Sequence, residues 1–526
     1  KVIAQTSVMP YKRAVKRVAE IGRELRVGTV LGGSVRKADN KLRITVQLID
    51  VQSEEHLWSE LYERQLEDVF AIQSDIAQRV AEALQVHLLA GERRQLEKRT
   101  TRNLGAYTLY LTGRQLWNMR LEEGLRLAIE QFQQAIEIDP DYALAYAGLA
   151  DAYSIMANWG FLPEGEGYSQ AREAALKALE LDNKLGEAHA SLGLIKWAYE
   201  HKVREAEREF RRAIELNPNY PTAHHWYAMF LQGLGRHEEA LAEVRRALDL
   251  DPLSPVINHA LGKILLLTGQ FEAAREQYQR TVELAPGFAQ ARLGLAEIKR
   301  LSWDWEGAEE EIKRAIEVTP DSAWSYASYA YHLLALGRIA EGLGEMQRAI
   351  ALSPRSVRLL IEAGSLHYFA GEYDRAIGQL QPIVKEEPQA VGAHLFLGLA
   401  YARRSRCEEA LAELQKAEEL AGGADQNLDL WTSWGRGVAY AQLGNREKAE
   451  EVLTDLIGRP RQPDRASLIA LLCFSLGRDD EGFEWAERAY EEHDPGLLWL
   501  RIDPLLEALR SDPRYLALVK RMGLQE

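Results

Sequence analysis

Few residues in this sequence have the types and spacing that catalysis requires. Gly32-Gly33-Ser34 is the nearest approach to a phosphate-cradling loop. It lacks the lysine and leads into a strand pattern, so it reads as a bulge or bend. His237-Glu238-Glu239 lacks the second histidine of a zinc-binding helix. The adjacent His224 and His225 point to different sides of a helix and do not chelate one ion as an i, i+4 pair does. No GxSxG elbow and no kinase HRD or DFG motif occurs. Cys407 and Cys473 are too few for a disulfide scaffold or a zinc site, and their apolar helical surroundings suit reduced core thiols. Glu306 to Glu311 reads as a solvated helix face. The residues therefore predict no enzyme, no cofactor and no metal, and leave a binding surface as the function to look for.

Composition narrows the partner. Sixty-four basic against 79 acidic residues give a net charge of −15, which repels phosphate backbones, so direct nucleic-acid binding is not expected. With 46% hydrophobic and 27% charged residues, the 526-residue chain is of globular rather than disordered type. No apolar run approaches the roughly 20 residues that span a bilayer. The basic start, Lys1 to Arg17, is not followed by the apolar core of a signal peptide. The chain does not begin with Met and reads as a fragment or processed form.

The elements that must carry the binding surface announce themselves by repetition. Pro218, Pro252, Pro286, Pro320, Pro354 and Pro388 are each 34 residues apart. Pro140 and Asn183 hold the same slot earlier, with an insertion at Asn158 to Tyr168 between them. Twelve residues before the slot lies Ala128, Ala171, Ala206, Ala240, Ala274, Ala308, Gly342 or Ala376, and seventeen before lies Gly235, Gly269, Gly337 or Gly371. The glycine ends a first helix where a left-handed cap needs no Cβ. The small residue lets two helices approach, and the proline stops the second helix. Five before the slot lies Ala135, Ala178, Ala213, Ala247, Ala315 or Ala349, a second small residue that Thr281 and Ile383 replace; Trp303 replaces the glycine of its unit, and Pro382 falls inside a helix that it should bend.

The first 90 residues follow a period of two instead. Leu42, Ile44, Val46 and Leu48 alternate with polar residues as a half-buried strand requires. Thr29 to Arg36 and His56 to Tyr62 are further strands, with a turn at Ala38-Asp39-Asn40 and a short strand at Val2 to Ala4. Helices are expected over Ala14 to Leu25 and Leu66 to Leu89, giving the order β-α-β-β-β-α.

The 34-residue pattern resembles the tetratricopeptide repeat. The expected fold is mostly α: a superhelical solenoid of about eleven repeats behind a small truncated α/β domain. Its parts are an α/β domain at 1–90, a charged linker at 91–105, the array at 106–494 and capping helices at 495–526. In the cap, Leu505, Leu506, Leu509, Tyr515, Leu516 and Val519 should cover the last unit. The stretch from KVIAQTSVMPYK to DIAQRVAEAL resembles the C-terminal half of the TolB amino-terminal-like (FlgO-like) domain. That resemblance implies a bacterial signalling protein whose effector is an adenylate cyclase, a Ser/Thr kinase or a winged-helix regulator. It implies a cytoplasmic location or, where a membrane helix precedes the region, the extracytoplasmic side of an inner-membrane protein.

The repeat resemblance also implies where a partner binds. First-helix positions two, five, nine and twelve line the concave face. They hold Tyr107, Tyr110, Arg114 and Trp117; Trp197; His225 and Met229; His259 and Lys263; Glu297 and Arg300; Trp324 and Tyr331; Arg358 and Tyr368; Trp431 and Trp434. Rings and arginines of this kind carry binding energy for a protein or peptide. The lysine and asparagine clamp for a peptide carboxylate is missing. Trp324, Tyr331, Arg358 and Tyr368 are the expected centre.

Overall fold

The computed structural model describes residues 2–12, 16–39, 41–65, 69–84, 101–421 and 426–524. The alternation read from Leu42 to Leu48 becomes the middle strand of a three-stranded antiparallel sheet, β1 (Thr29–Ala38), β2 (Lys41–Asp50) and β3 (His56–Gln65), in the order β1-β2-β3. Register sets Leu31 opposite Leu48 and Ile44 opposite Tyr62. Leu42, Ile44 and Val46 then share one face with Tyr62, and Ile72 and Ile76 of the helix Val69–Ala83 cover it. Asn40, Leu66 and residues 85–100 lie outside the described residues, as does the start of the first expected helix, which is seen as Val18–Leu25.

The expected strand at Val2 to Ala4 does not form, and residues Gln5–Val8 are a short helix instead. The reason is a competing partner. The Ala4 N–H donates to the Leu250 carbonyl at 2.8 Å, and the Thr6 and Ser7 hydroxyls donate to Asp251. The chain start is thereby spent on the fourth repeat rather than on the sheet.

Eleven helix pairs follow among the described residues, from Leu104–Asn118 with Glu122–Ile138 to Arg465–Ser475 with Asp479–Glu491. They are called units 1 to 11 below. Asn103 caps the first, its side-chain oxygen accepting from the Ala106 N–H at 3.1 Å. Ala128, Ala171, Ala206, Ala240, Ala274, Ala308 and Ala376 are fully buried, as their slot requires. At Gly342 a Cβ would stand 2.8 Å from the Ala330 carbonyl.

The turn between paired helices holds one left-handed residue in every unit. Gly235, Gly269, Gly337 and Gly371 take it at φ of +71° to +76°, and Gly160, Gly444 and Gly477 do the same. Arg120, His201, Trp303 and Ser405 occupy the slot without being glycine, at φ of +54° to +61°. Such residues carry a steric cost of about 1–2 kcal/mol. The helix Tyr373–Glu386 runs on through Pro382. The insertion is a turn at 159–163 plus extra length on the helix Glu164–Leu181.

Three short elements close the chain: Pro495–Trp499, Pro504–Leu509 and Pro513–Arg521. Each begins Asp-Pro, and the carboxylates of Asp494, Asp503 and Asp512 accept from the N–H groups of Gly496, Leu505 and Arg514. Leu506 and Tyr515 are buried as expected of a cap. Leu516 is 55% exposed, because its helix turns Tyr515 and Leu518 inward instead.

Candidate partner-binding groove

The first helices of units 1 to 4 are tied together by a buried polar spine. Arg114 Nη1 donates to Asp151 Oδ2 at 2.7 Å, and the same carboxylate accepts from Ser191 Oγ at 2.6 Å and from the Tyr220 hydroxyl at 3.0 Å. One residue from each of four successive units thus meets on a single buried acid. Trp117 lies beside it, 1% exposed, with the Arg114 guanidinium 4.2 Å from its ring centre and that of Arg120 at 3.4 Å. Its ring meets the edge of Trp226 at 6.3 Å. Tyr110 packs against Phe132 and Tyr142. Tyr107 meets Phe70 of the helix Val69–Ala83 edge-on at 5.3 Å, so the α/β module packs on it.

Further along, His225 and His259 stand in the same position of units 4 and 5. His225 is 4% exposed, and burial pushes its imidazole down to about 3, with Arg120 and His259 adding to the effect. Burial and then Lys263 push His259 down to about 4. Both rings are neutral at pH 7. Lys263 reaches solvent, yet the crowded walls lower its proton affinity, and Arg358 lowers it further. Met229 is half-buried, and Trp197 is edge-on to Phe230 at 5.9 Å. Arg358 is exposed, with its guanidinium over the half-buried Trp324 at 4.5 Å.

The second half of the array is filled by its own chain. Unit 11 and the closing elements fold back on the first helices and turns of units 6 to 9. Trp303 stacks on Tyr490 at 5.7 Å and 7° between planes, and Trp305 Nε1 donates to the Met522 carbonyl at 2.6 Å. Arg501 Nη1 donates to the Leu336 carbonyl at 2.9 Å. Trp499 stacks on Phe369 at 4.4 Å and meets Tyr331 at 5.8 Å. Arg403 grips Asp503 at 2.9 and 3.0 Å.

Several expected groove residues are therefore already engaged. Tyr331 spends its hydroxyl on Glu362 and Ser365 at 2.6 Å, and Tyr368 is 4% exposed among Phe369, Tyr373 and Phe396. Glu297 and Arg300 pair with each other. Trp434 is 2% exposed, and Trp431 donates from Nε1 to Asp464 at 3.2 Å. Of the four residues expected at the centre, Trp324 and Arg358 remain accessible. The reading of positions missed Arg120, Asp151, Trp499 and Asp503. Arg120 had a signal, since it fills the turn slot that glycine holds elsewhere.

Tetratricopeptide repeat family models match residues 198–264, 265–328, 361–425 and 430–453, and a TPR repeat model matches 125–154. The chain is a tetratricopeptide repeat protein. Among curated relatives, this repeat protein is 35% identical over 212 residues to a putative adenylate cyclase 3 of Rhizobium meliloti, covering 39% of this chain and 35% of the relative. It is 25% identical over 230 residues to the transcriptional regulator HilA of Salmonella typhimurium, covering 44% of this chain and 41% of the relative. The chain thus spans well under half the length of either. Solved structures similar to it include a human IFIT1 dimer with PPP-AAAA, at 17% identity, covering 64% of this chain and 89% of that one with a TM-score of 0.40. Another is YrrB, titled a TPR protein with an unusual peptide-binding site, at 24% identity, covering 37% of this chain and 95% of that one with a TM-score of 0.26. Among the described residues no helix is long and apolar enough to cross a membrane, and no group of three or more His, Cys, Asp or Glu is placed to hold a metal ion.

Proposed function

We propose that this repeat array is the non-catalytic interaction and sensory region of a larger bacterial signalling protein, and that it binds an extended polypeptide in the first half of its concave groove. The array is a protein–protein interaction scaffold. The observation that carries the finer reading is the contrast between the two halves. Units 6 to 9 spend most of their rings and turns on unit 11 and the closing elements, whereas Lys263 of unit 5 is exposed; Trp324 and Arg358 are the exceptions in units 7 and 8, accessible and close to Lys263. A photo-crosslinking residue at Met229, compared with one at Glu310 on a second helix, tests this with a purified binding peptide. Crosslinking at Met229 alone is expected, and equal crosslinking at both positions would overturn the assignment.

A second reading is the regulatory part of an adenylate cyclase, a Ser/Thr kinase or a winged-helix regulator; the names of the two relatives, an adenylate cyclase and a transcriptional regulator, favour a cyclase or regulator context. The coding sequence upstream of Lys1 discriminates. A contiguous effector domain supports this context, and an unrelated reading frame would remove it.

A further inference from the structure

The basic turn residues of this array are, as a rule, satisfied locally. Arg236, Arg338, Arg406 and Arg478 each pair with a glutamate three residues on. Three cations of the open groove break that rule. Arg120 is 8% exposed, and its Nε and Nη1 are enclosed with no acceptor. The residue holds a left-handed turn position, φ +57°, that glycine would occupy without strain. Lys263 and Arg358 likewise have no carboxylate within ion-pair distance among the described residues. A buried guanidinium with no acceptor is costly, and such a group in a native fold calls for a ligand or another explanation.

These groups face one space although they are far apart in sequence. Arg120 lies over Trp117, whose ring edge meets Trp226 on the helix that carries His225. His259 holds the same position in the next unit, and Lys263 is one helical turn beyond it on the same face. The insertion turn brings the far wall close: a Cβ on Gly160 would stand 2.4 Å from Ser356 Oγ, two residues before Arg358. Neutral histidines separate the cations, so the row can accept hydrogen bonds as well as charge.

We propose that this row binds an acidic segment of a partner polypeptide, with its carboxylates pairing to Arg120, Lys263 and Arg358. The proposal rests on the groove reading above and adds the chemistry of the occupant. Three cations within a chain of net charge −15 suit a few carboxylates. A polyphosphate carries more charge than three cations offset, so the acidic surroundings and Glu164, close to Arg358, repel it more than they repel a few carboxylates. The half-buried ring of Trp324, under the Arg358 guanidinium, supplies contact area beside the charges.

The test pans the full chain against a random dodecapeptide display library and titrates the best peptide by calorimetry. Enrichment of Asp and Glu among the selected peptides is expected. Lys263→Glu and Arg358→Glu, both at accessible positions, should each weaken that peptide at least tenfold, while Arg314→Glu on a second helix leaves it unchanged. Selected peptides without acidic enrichment, bound equally by both groove variants, would overturn the acidic occupant. If such peptides still crosslinked at Met229, the groove reading would survive; if no peptide were selected at all, both would fall. Preference for a single-stranded RNA decamer over the selected peptide would overturn the polypeptide assignment.

Discussion

Removing the Asp503 carboxylate should release the closing elements from units 6 to 9 and leave the rest of the array intact. Arg403 Nη2 donates to both oxygens of Asp503, and the two side chains are 5% and 12% exposed. The guanidinium also sits 5.8 to 5.9 Å from the rings of Tyr368, Tyr373 and Trp434. Breaking a buried pair by deleting one partner costs about 3–5 kcal/mol, because the other charge is stranded. Asp503 also caps Pro504–Leu509 through the Leu505 N–H at 2.9 Å. Asp503→Ala would lose both, the cap being worth about 1 kcal/mol. Asp503→Asn keeps the cap and isolates the charge, and since a neutral acceptor remains, about 2–3 kcal/mol is expected. That is a 30- to 150-fold rise in local opening. Hydrogen exchange by mass spectrometry on the whole chain reads it. Residues 495–524 should exchange faster by that factor while units 1 to 5 keep their protection, because each repeat contacts chiefly its neighbours. Unchanged exchange of 495–524 in Asp503→Asn and in Asp503→Ala would refute the reasoning. So would uniform acceleration across the chain.

Burial, then the charge of Asp494, pushes Asp464 up to about 7, and burial pushes Asp494 up to about 6. A carboxyl whose folded value lies above its unfolded value of about 4 stabilises most below pH 4, and that stability is lost as pH rises through 7. Exchange at the junction of units 10 and 11 should therefore quicken, beyond its intrinsic pH dependence, between pH 5 and pH 8. Asp464→Asn should flatten that slope, and an equal slope in the variant would contradict the cause. Ser405→Gly should stabilise unit 9 by about 0.5–1 kcal/mol in urea melts, since Ser405 sits at φ +58°; a loss of stability would show that its side chain matters more than its strain. Gly371→Ala should cost at least about 1 kcal/mol, because φ is +76° and a Cβ would press on Pro504 at 3.0 Å. Deleting 495–524 should expose apolar surface on unit 11 and on units 6 to 8 together, read as light scattering and lost protection in 465–491. An unchanged exchange profile there would mean that these residues are not a cap.

Local repeat chemistry was legible and long-range closure was not. The proline, glycine and alanine slots encode contacts between neighbours, so the helix pairs and the turn residues at Gly235, Gly269, Gly337 and Gly371 followed from spacing alone. Trp303 shows the limit. Its place in a glycine slot marks an exception, but its stacking partner, Tyr490, is 187 residues on, and no periodicity links them. Trp499 and Asp503 were invisible for the same reason: their partners Phe369 and Arg403 lie in other units, brought near only by the curvature of the whole array. The strand expected at Val2 to Ala4 failed because Leu250 and Asp251 outcompete a sheet edge for its hydrogen bonds. Position rules found Lys263 and Arg358 but could not say that Tyr368 turns inward, since helical phase places a residue on a face without revealing what later covers that face.

Where a bound peptide shields the chain distinguishes the groove from every other face. Hydrogen exchange of the whole chain, with and without a saturating selected peptide, should show new protection in the first helices of units 4 and 5, residues 221–233 and 255–267, and at the start of the helix Val357–Phe369. Second helices and residues 495–524 should be unaffected. Protection confined to second helices, or faster exchange in 495–524 as the peptide displaces them, would contradict the claim that the open first half of the groove, together with Arg358 close to Lys263, is the binding site.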